Sequence, residues 1–119
     1  MLEIAYFLML AFLLSHEIDA AYRKEWRVLP LTSWMPDTLG RQVFILAHVP
    51  LLAAIFLGGG LSPSSTFAAG LSAFSVVHVG LHWLFRHHKD HDFNNWLSVL
   101  LIVGAGVAGL VHLVLLWVF

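Results

Sequence analysis

Four long apolar runs, separated by polar or breaker-rich connections, constrain this chain more than any other feature. A helix that crosses the hydrocarbon core of a bilayer needs about 20 mostly apolar residues, because it climbs about 1.5 Å per residue through roughly 30 Å. Runs at about residues 2–24, 41–58, 66–87 and 94–119 meet or approach that length. The second is the shortest and contains Pro50. A segment in lipid must satisfy its backbone hydrogen bonds internally, so each run is expected to be helical. The expected fold is all-α: a four-transmembrane-helix bundle forming one integral membrane domain over residues 1–119. Composition supports this, with 60% hydrophobic and 11% charged residues, against roughly 45–50% and 25% in soluble domains. A chain of 119 residues is too small to hide that apolar surface without lipid.

The connections divide into two kinds. "GGGLSPSS" (residues 58–65) is a turn of breakers without charge, whereas "RHHKDHDFNN" (86–95) is strongly polar. "VLPLTSWMPDTLG" (28–40), with two prolines, Trp34 and Met35, is expected to lie along the interface, with Asp37 or Thr38 capping the second helix. Arg23, Lys24, Arg27, Arg41, Arg86 and Lys89 are all the Lys and Arg residues, and all fall on one side of a four-span arrangement. The positive-inside rule makes that side cytoplasmic and turns both termini outward. The first run is expected to be retained as a span rather than cleaved as a leader. Its bases follow the apolar stretch, Glu3 stands where a leader carries positive charge, and no A-x-A site is present.

Other classes fall away. A net charge of −1 gives nucleic acid no basic face. The absence of cysteine removes disulfides, thiolate metal sites and thiol nucleophiles. No Gly-x-Ser-x-Gly, Walker or Gly-x-Gly-x-x-Gly motif is present.

Polar groups inside the runs carry the functional signal, since ionisable residues are costly in lipid. Counting inward from the flanking bases at about 1.5 Å per residue, His16, His48 and His78 lie roughly 10–12 Å deep, and Asp19 and His82 roughly 6 Å deep. Four histidines and one aspartate from three helices are thus expected in a single slab, with Asn94, Asn95 and Ser98 of the fourth helix at the same level. His16 and Asp19 share a helix face at i, i+3, and His78 and His82 share one at i, i+4, a recurrent chelating pair. Glu17 is rotated about 100° from His16 and is a candidate second partner or base. "FLLSHEIDAAYR" and "SVVHVGLHWLFR" align on their terminal arginines, so two similar helices could each supply half of one site.

Two groups fall outside the slab. His112, near the far end of the fourth helix, is expected to hydrogen-bond between helices. His87, His88 and His91 are expected in a solvated loop. "GAGVAG" (104–109) supplies small-xxx-small pairs that let helices approach closely, within the bundle or between copies of the chain.

"HEIDA…EWRVLP", "HVP", "HVGLHWLFR" and "FNNWLS" together resemble a family of small bacterial membrane proteins known only as a domain of unknown function. The resemblance spans nearly the whole chain. It implies a four-span fold in a bacterial inner membrane and implies no activity. The chain is more loosely similar to prokaryotic membrane proteins named for a His-x-x-Glu-Glu motif, but His16 is followed by Asp19 and Ala20, so one acid of that motif is missing.

The leading expectation is a divalent metal site, zinc or iron, with His16, Asp19, His48, His78 and His82 as ligands, since imidazole and carboxylate without thiolate suit those ions. Glu17 would be the general acid or base. Arg23 and Arg86, with Asn95, would bind a phosphate or carboxylate at headgroup depth. The substrate class expected is a membrane lipid or another apolar molecule. The zinc version is similar in chemistry to seven-span amidases of the ceramidase and adiponectin-receptor type, and the iron version to membrane hydroxylases. Two non-enzymatic readings stay open: a haem or ligand binder using His48 with His78 or His82, and a scaffold whose histidines form a structural network.

Overall fold

A computed structural model describes all residues, Met1 to Phe119. The chain folds into four helices and no strands: α1 Leu2–Tyr22, α2 Asp37–Leu57, α3 Thr66–Leu84 and α4 Trp96–Val118. All four are long and apolar enough to cross a membrane. A single 3-10 turn, Glu25–Arg27, lies between α1 and α2. The molecule measures 46 × 29 × 20 Å.

Helix ends follow local chemistry. Ser65 and Asn95 cap α3 and α4, accepting hydrogen bonds from the Ala68 and Ser98 amides. α2 begins at Asp37, four residues before the expected position, and neither Asp37 nor Thr38 caps it. Pro36 occupies the cap position in an extended conformation and makes no side-chain bond. α3 stops at Leu84 and α4 starts at Trp96, so the polar loop between them takes up a few residues expected to be helical.

α4 is the hub. It packs against both α1 and α3, while α2 touches mainly α1 and the Glu25–Arg27 turn. The small-residue stripe explains the hub. A Cβ on Gly109 would stand 2.2 Å from Ser75 Oγ and 2.9 Å from the Ser72 carbonyl oxygen, and one on Gly104 would stand 2.9 Å from the Phe12 ring. The stripe is thus filled by α1 and α3 of the same chain. Tyr6, Met9, Leu10 and Leu13 of α1 meet Ala105 and Ala108 of α4 in the main core. In lipid such contacts gain through packing and hydrogen bonding rather than escape from water, which is why small residues gather there.

At the charge-free end, His112 acts as a staple between helices. Its Nδ1 lies 2.8 Å from Ser72 Oγ and its Nε2 lies 2.8 Å from the Pro63 carbonyl. A carbonyl only accepts, so Nε2 carries the proton, Nδ1 accepts, and Ser72 donates. Tyr6 donates to the Gly60 carbonyl and packs its ring on His112. Together they pin the α2–α3 connection to α1, α3 and α4.

α2 stands apart. Only Gly40 and Ile55 of its residues are buried, and large apolar side chains along it face outward. It is anchored at its start, where Gly40 lies so close to Trp26 that a Cβ would stand 2.2 Å from the indole nitrogen.

Candidate metal centre

The backbone first reverses at the end of α1. Lys24 adopts a left-handed conformation (φ 58°, ψ 50°), which a residue other than glycine or asparagine rarely takes. The following 3-10 turn doubles back beneath the bundle and buries Glu25, Trp26 and Val28. The Glu25 carboxylate thereby reaches a level that helical extrapolation assigns to residues several positions earlier.

There it meets three imidazoles. His16 on α1 is fully buried, and its Nε2 lies 3.0 Å from His78 Nε2 on α3. His78 Nε2 lies 3.0 Å from His82 Nε2, one turn along the same helix. Glu25 Oε1 lies 3.2 Å from His82 Nε2, and Oε2 lies 3.9 Å from His16 Nε2. One donor atom from each of His16, Glu25, His78 and His82 falls within 4.8 Å of all the others, a set able to hold a metal ion. Burial raises the Glu25 carboxyl, but the hydrogen bond from His82 and the nearby His16, His82 and His78 rings outweigh it. The carboxyl is held below its usual range.

Hydrogen bonding can pair His16 with His78 and His82 with Glu25, but it leaves over the 3.0 Å contact between His78 Nε2 and His82 Nε2. Each imidazole nitrogen offers one in-plane direction, either a proton or a lone pair. His78 Nε2 faces two other Nε2 atoms and cannot pair fully with both. A cation at the common point satisfies all three lone pairs together. In a tetrahedral zinc site with Zn–N near 2.0–2.1 Å, neighbouring nitrogens stand about 3.3–3.4 Å apart, close to the spacing here.

On the Nδ1 side, His82 has an outer support, whereas the buried His16 Nδ1 has no hydrogen-bond partner. His82 Nδ1 lies 3.3 Å from His91 Nε2. When His82 Nε2 serves as a ligand, its Nδ1 carries the proton and donates it to His91. Such bonds fix the tautomer and orientation of metal-binding imidazoles. His91, expected in a solvated loop, is instead partly buried against His82 and Phe93.

Of the five ligands expected from sequence, the fold brings together His16, His78 and His82. Asp19 and His48 are engaged elsewhere. Asp19 Oδ1 accepts from Arg23 Nε at 2.8 Å and Oδ2 from Ser98 Oγ at 2.5 Å, tying α1 to α4. His48 Nδ1 donates to the Phe44 carbonyl at 2.7 Å, and its Nε2 lies 2.8 Å from Glu17 Oε2. With Nδ1 committed as a donor, exactly one side of the Nε2–Glu17 contact needs a proton, so the pair holds a single transferable proton in either charge state.

The three residues expected to bind an anionic group also have other partners. Arg23 pairs with Asp19 and with Asp92, whose carboxylate and carbonyl it reaches at 3.1 Å. Arg86 stacks its guanidinium 4.0 Å from the Trp83 ring and donates to the Trp83 carbonyl. Asn95 caps α4 and donates to Ser98 Oγ at 2.9 Å.

The cluster and the Glu17–His48 pair face one cavity of about 290 Å³. Glu25, His78, His82 and His91 line one part of it, Glu17 and His48 another, and phenylalanine and leucine side chains the remainder. A titratable pair and a potential metal ligand set in one apolar cavity is the usual form of a small-molecule site.

Fold and site together define a four-span helical protein with a buried histidine–glutamate cluster at its base-rich end. The model of a family of unknown function (DUF6713) matches residues 2–119, and the chain belongs to that family. No curated protein and no solved structure matches the chain.

Proposed function

We propose that this protein is a metal-dependent membrane enzyme, with a divalent ion, zinc or iron, held by His16, Glu25, His78 and His82. The observation that carries this reading is the convergence of three Nε2 atoms and a carboxylate, all within 4.8 Å of one another. Such an ion acts as a Lewis acid or activates bound water. Glu17 and His48, on the wall of the same cavity, supply the proton-transfer pair, with Glu17 in the acid–base role. His91 orients His82. The base-rich end faces the cytoplasm and both termini face outward, in keeping with the distribution of Lys and Arg.

A haem reading has less support. His48 would be needed on the α2 side, and both of its ring nitrogens are taken by Phe44 and Glu17. A purely structural network has less support, because the 3.0 Å contact between His78 Nε2 and His82 Nε2 is left over once His16 pairs with His78 and His82 with Glu25.

Elemental analysis of detergent-purified protein tests the proposal, with wild type beside the His78→Ala/His82→Ala variant. The expected result is one zinc or iron per chain in wild type and its loss in the variant. Metal-free wild type with intact helical circular dichroism, still metal-free after incubation with zinc or ferrous iron, overturns it.

A further inference from the structure

The cavity at the cluster has an open flank, and its shape says what can fill it. α2 and α3 form its two sides yet barely touch each other, because each packs on other parts of the chain. Along α2, Phe44, His48 and Leu51 repeat at i, i+4 and i+7 and present one stripe to the cavity. Along α3 and its C-cap, Phe74, His78, Leu81 and Phe85 continue that spacing to i+11 and present the facing stripe. Leu51, Phe74 and Leu81 are 46%, 46% and 43% exposed, so the rim of this groove is open to the surroundings of the helices. For spans of this hydropathy, those surroundings are lipid tails.

Length and polarity identify the occupant. From Phe74 to Phe85 the α3 stripe rises roughly 16 Å, about half the roughly 30 Å hydrocarbon core, and His78 stands roughly 6 Å from its inner end, so a chain whose polar end is at the cluster runs past Phe74 into the bilayer. The groove's polar groups, including Glu17, Glu25, His48, His78 and His82, all lie on the base-rich side of Leu51 and Phe74, and that inner end is apolar. A lipid in its ordinary orientation has the same gradient, with its polar portion near the surface and its tail toward the midplane. The cavity's volume of about 290 Å³ lies just below the roughly 300–1,000 Å³ usual for ligand sites. It therefore takes one chain of such a molecule and leaves the rest in the bilayer.

We propose that the α2–α3 groove admits one acyl chain of a membrane lipid sideways from the bilayer, placing the polar end of that chain at the His16/Glu25/His78/His82 cluster. This substrate class rests on the metal-enzyme reading above. The groove itself rests on geometry alone.

The full chain is reconstituted in phosphatidylcholine/phosphatidylglycerol vesicles containing phosphatidylglycerol with one diazirine-bearing acyl chain. After irradiation, adducts are mapped by mass spectrometry, and metal content is measured on the same sample. Val49, Val77 and Val107 serve as references, because they are more exposed than the groove residues (64%, 59% and 58%). The expected result is a several-fold excess of adducts on Leu51, Phe74 and Leu81 over these valines. The excess should fall to the reference level in Leu81→Trp, which fills the groove. Adducts spread according to exposure overturn the groove proposal, and so does a groove free of adducts because a second copy of the chain covers it. If metal is present in such a sample, the lipid reading fails while the metal centre stands. Groove adducts on protein that stays metal-free after incubation with zinc or ferrous iron overturn the enzyme reading and keep the acyl-chain site.

Discussion

Glu25 Oε1 stands 3.2 Å from His82 Nε2, although the two residues belong to different helical hairpins and Glu25 lies outside every spanning segment. Asp19, nearer to the cluster in sequence, instead spends both carboxylate oxygens on Arg23 and Ser98. The two acids therefore have separable roles. Glu25→Gln keeps the side-chain shape but removes the anionic ligand, and zinc affinity should fall at least roughly 10–100-fold, the range seen when even an outer partner is lost. Asp19→Asn should leave zinc affinity within a few-fold while lowering stability by about 1–3 kcal/mol, since it breaks a charged hydrogen-bonded link. Equilibrium dialysis with zinc and a denaturation midpoint in mixed micelles read the two effects. The opposite ranking of the variants in zinc affinity would return Asp19 to the ligand set.

The position of Glu25 depends on its neighbour. Trp26 is buried against the start of α2, where Gly40 leaves no room for a side chain. Gly40→Ala should cost about 1–3 kcal/mol, the usual range for overpacking. It should also weaken zinc binding, because displacing Trp26 moves the adjacent carboxylate. Gly40→Ala combined with Trp26→Leu should recover much of the packing loss. A Gly40→Ala protein as stable as wild type would show that this contact is not tight.

His112 makes a different prediction. It is fully buried, but it bonds only to Ser72 and Pro63 at the far end of the bundle. His112→Ala should lower stability by about 0.6–1.7 kcal/mol for each hydrogen bond lost within the membrane. Metal content should not change. A simultaneous loss of metal and of the α2–α3 connection would instead link the two ends of the bundle.

Orientation can be read directly, since the chain has no cysteine of its own. Ser62→Cys in the uncharged connection and Lys89→Cys in the polar loop both place a thiol at an exposed position. In intact bacterial cells, a membrane-impermeant maleimide should label Ser62→Cys and spare Lys89→Cys until the membrane is opened. Labelling in the reverse order would put the base-rich end outside.

Much of this was legible in the residues themselves. Hydropathy and length marked four spans, because a helix in lipid must be apolar over a known distance. The i, i+4 spacing of His78 and His82 and the depth of His16 placed three imidazoles at one level, because helical rise is regular. The role of the "GAGVAG" stripe as a seat for neighbouring helices also followed from side-chain size. His48 was at the right depth, yet depth says nothing about which way a helix is turned or how far it stands from its neighbours. Its pairing with Glu17 depends on α2 lying at the edge of the bundle.

Sequence alone thus determined that there are four helices and the approximate depth of their polar groups, since these follow from local periodicity and from the solvent that lipid provides. Tertiary structure alone decided that Glu25, and not Asp19 or His48, joins His16, His78 and His82. That choice turns on a left-handed Lys24 and a buried Trp26, which reverse the chain beneath the bundle. A reversal of this kind is held in place by contacts with α2, residues far along the chain, and no local pattern announces it.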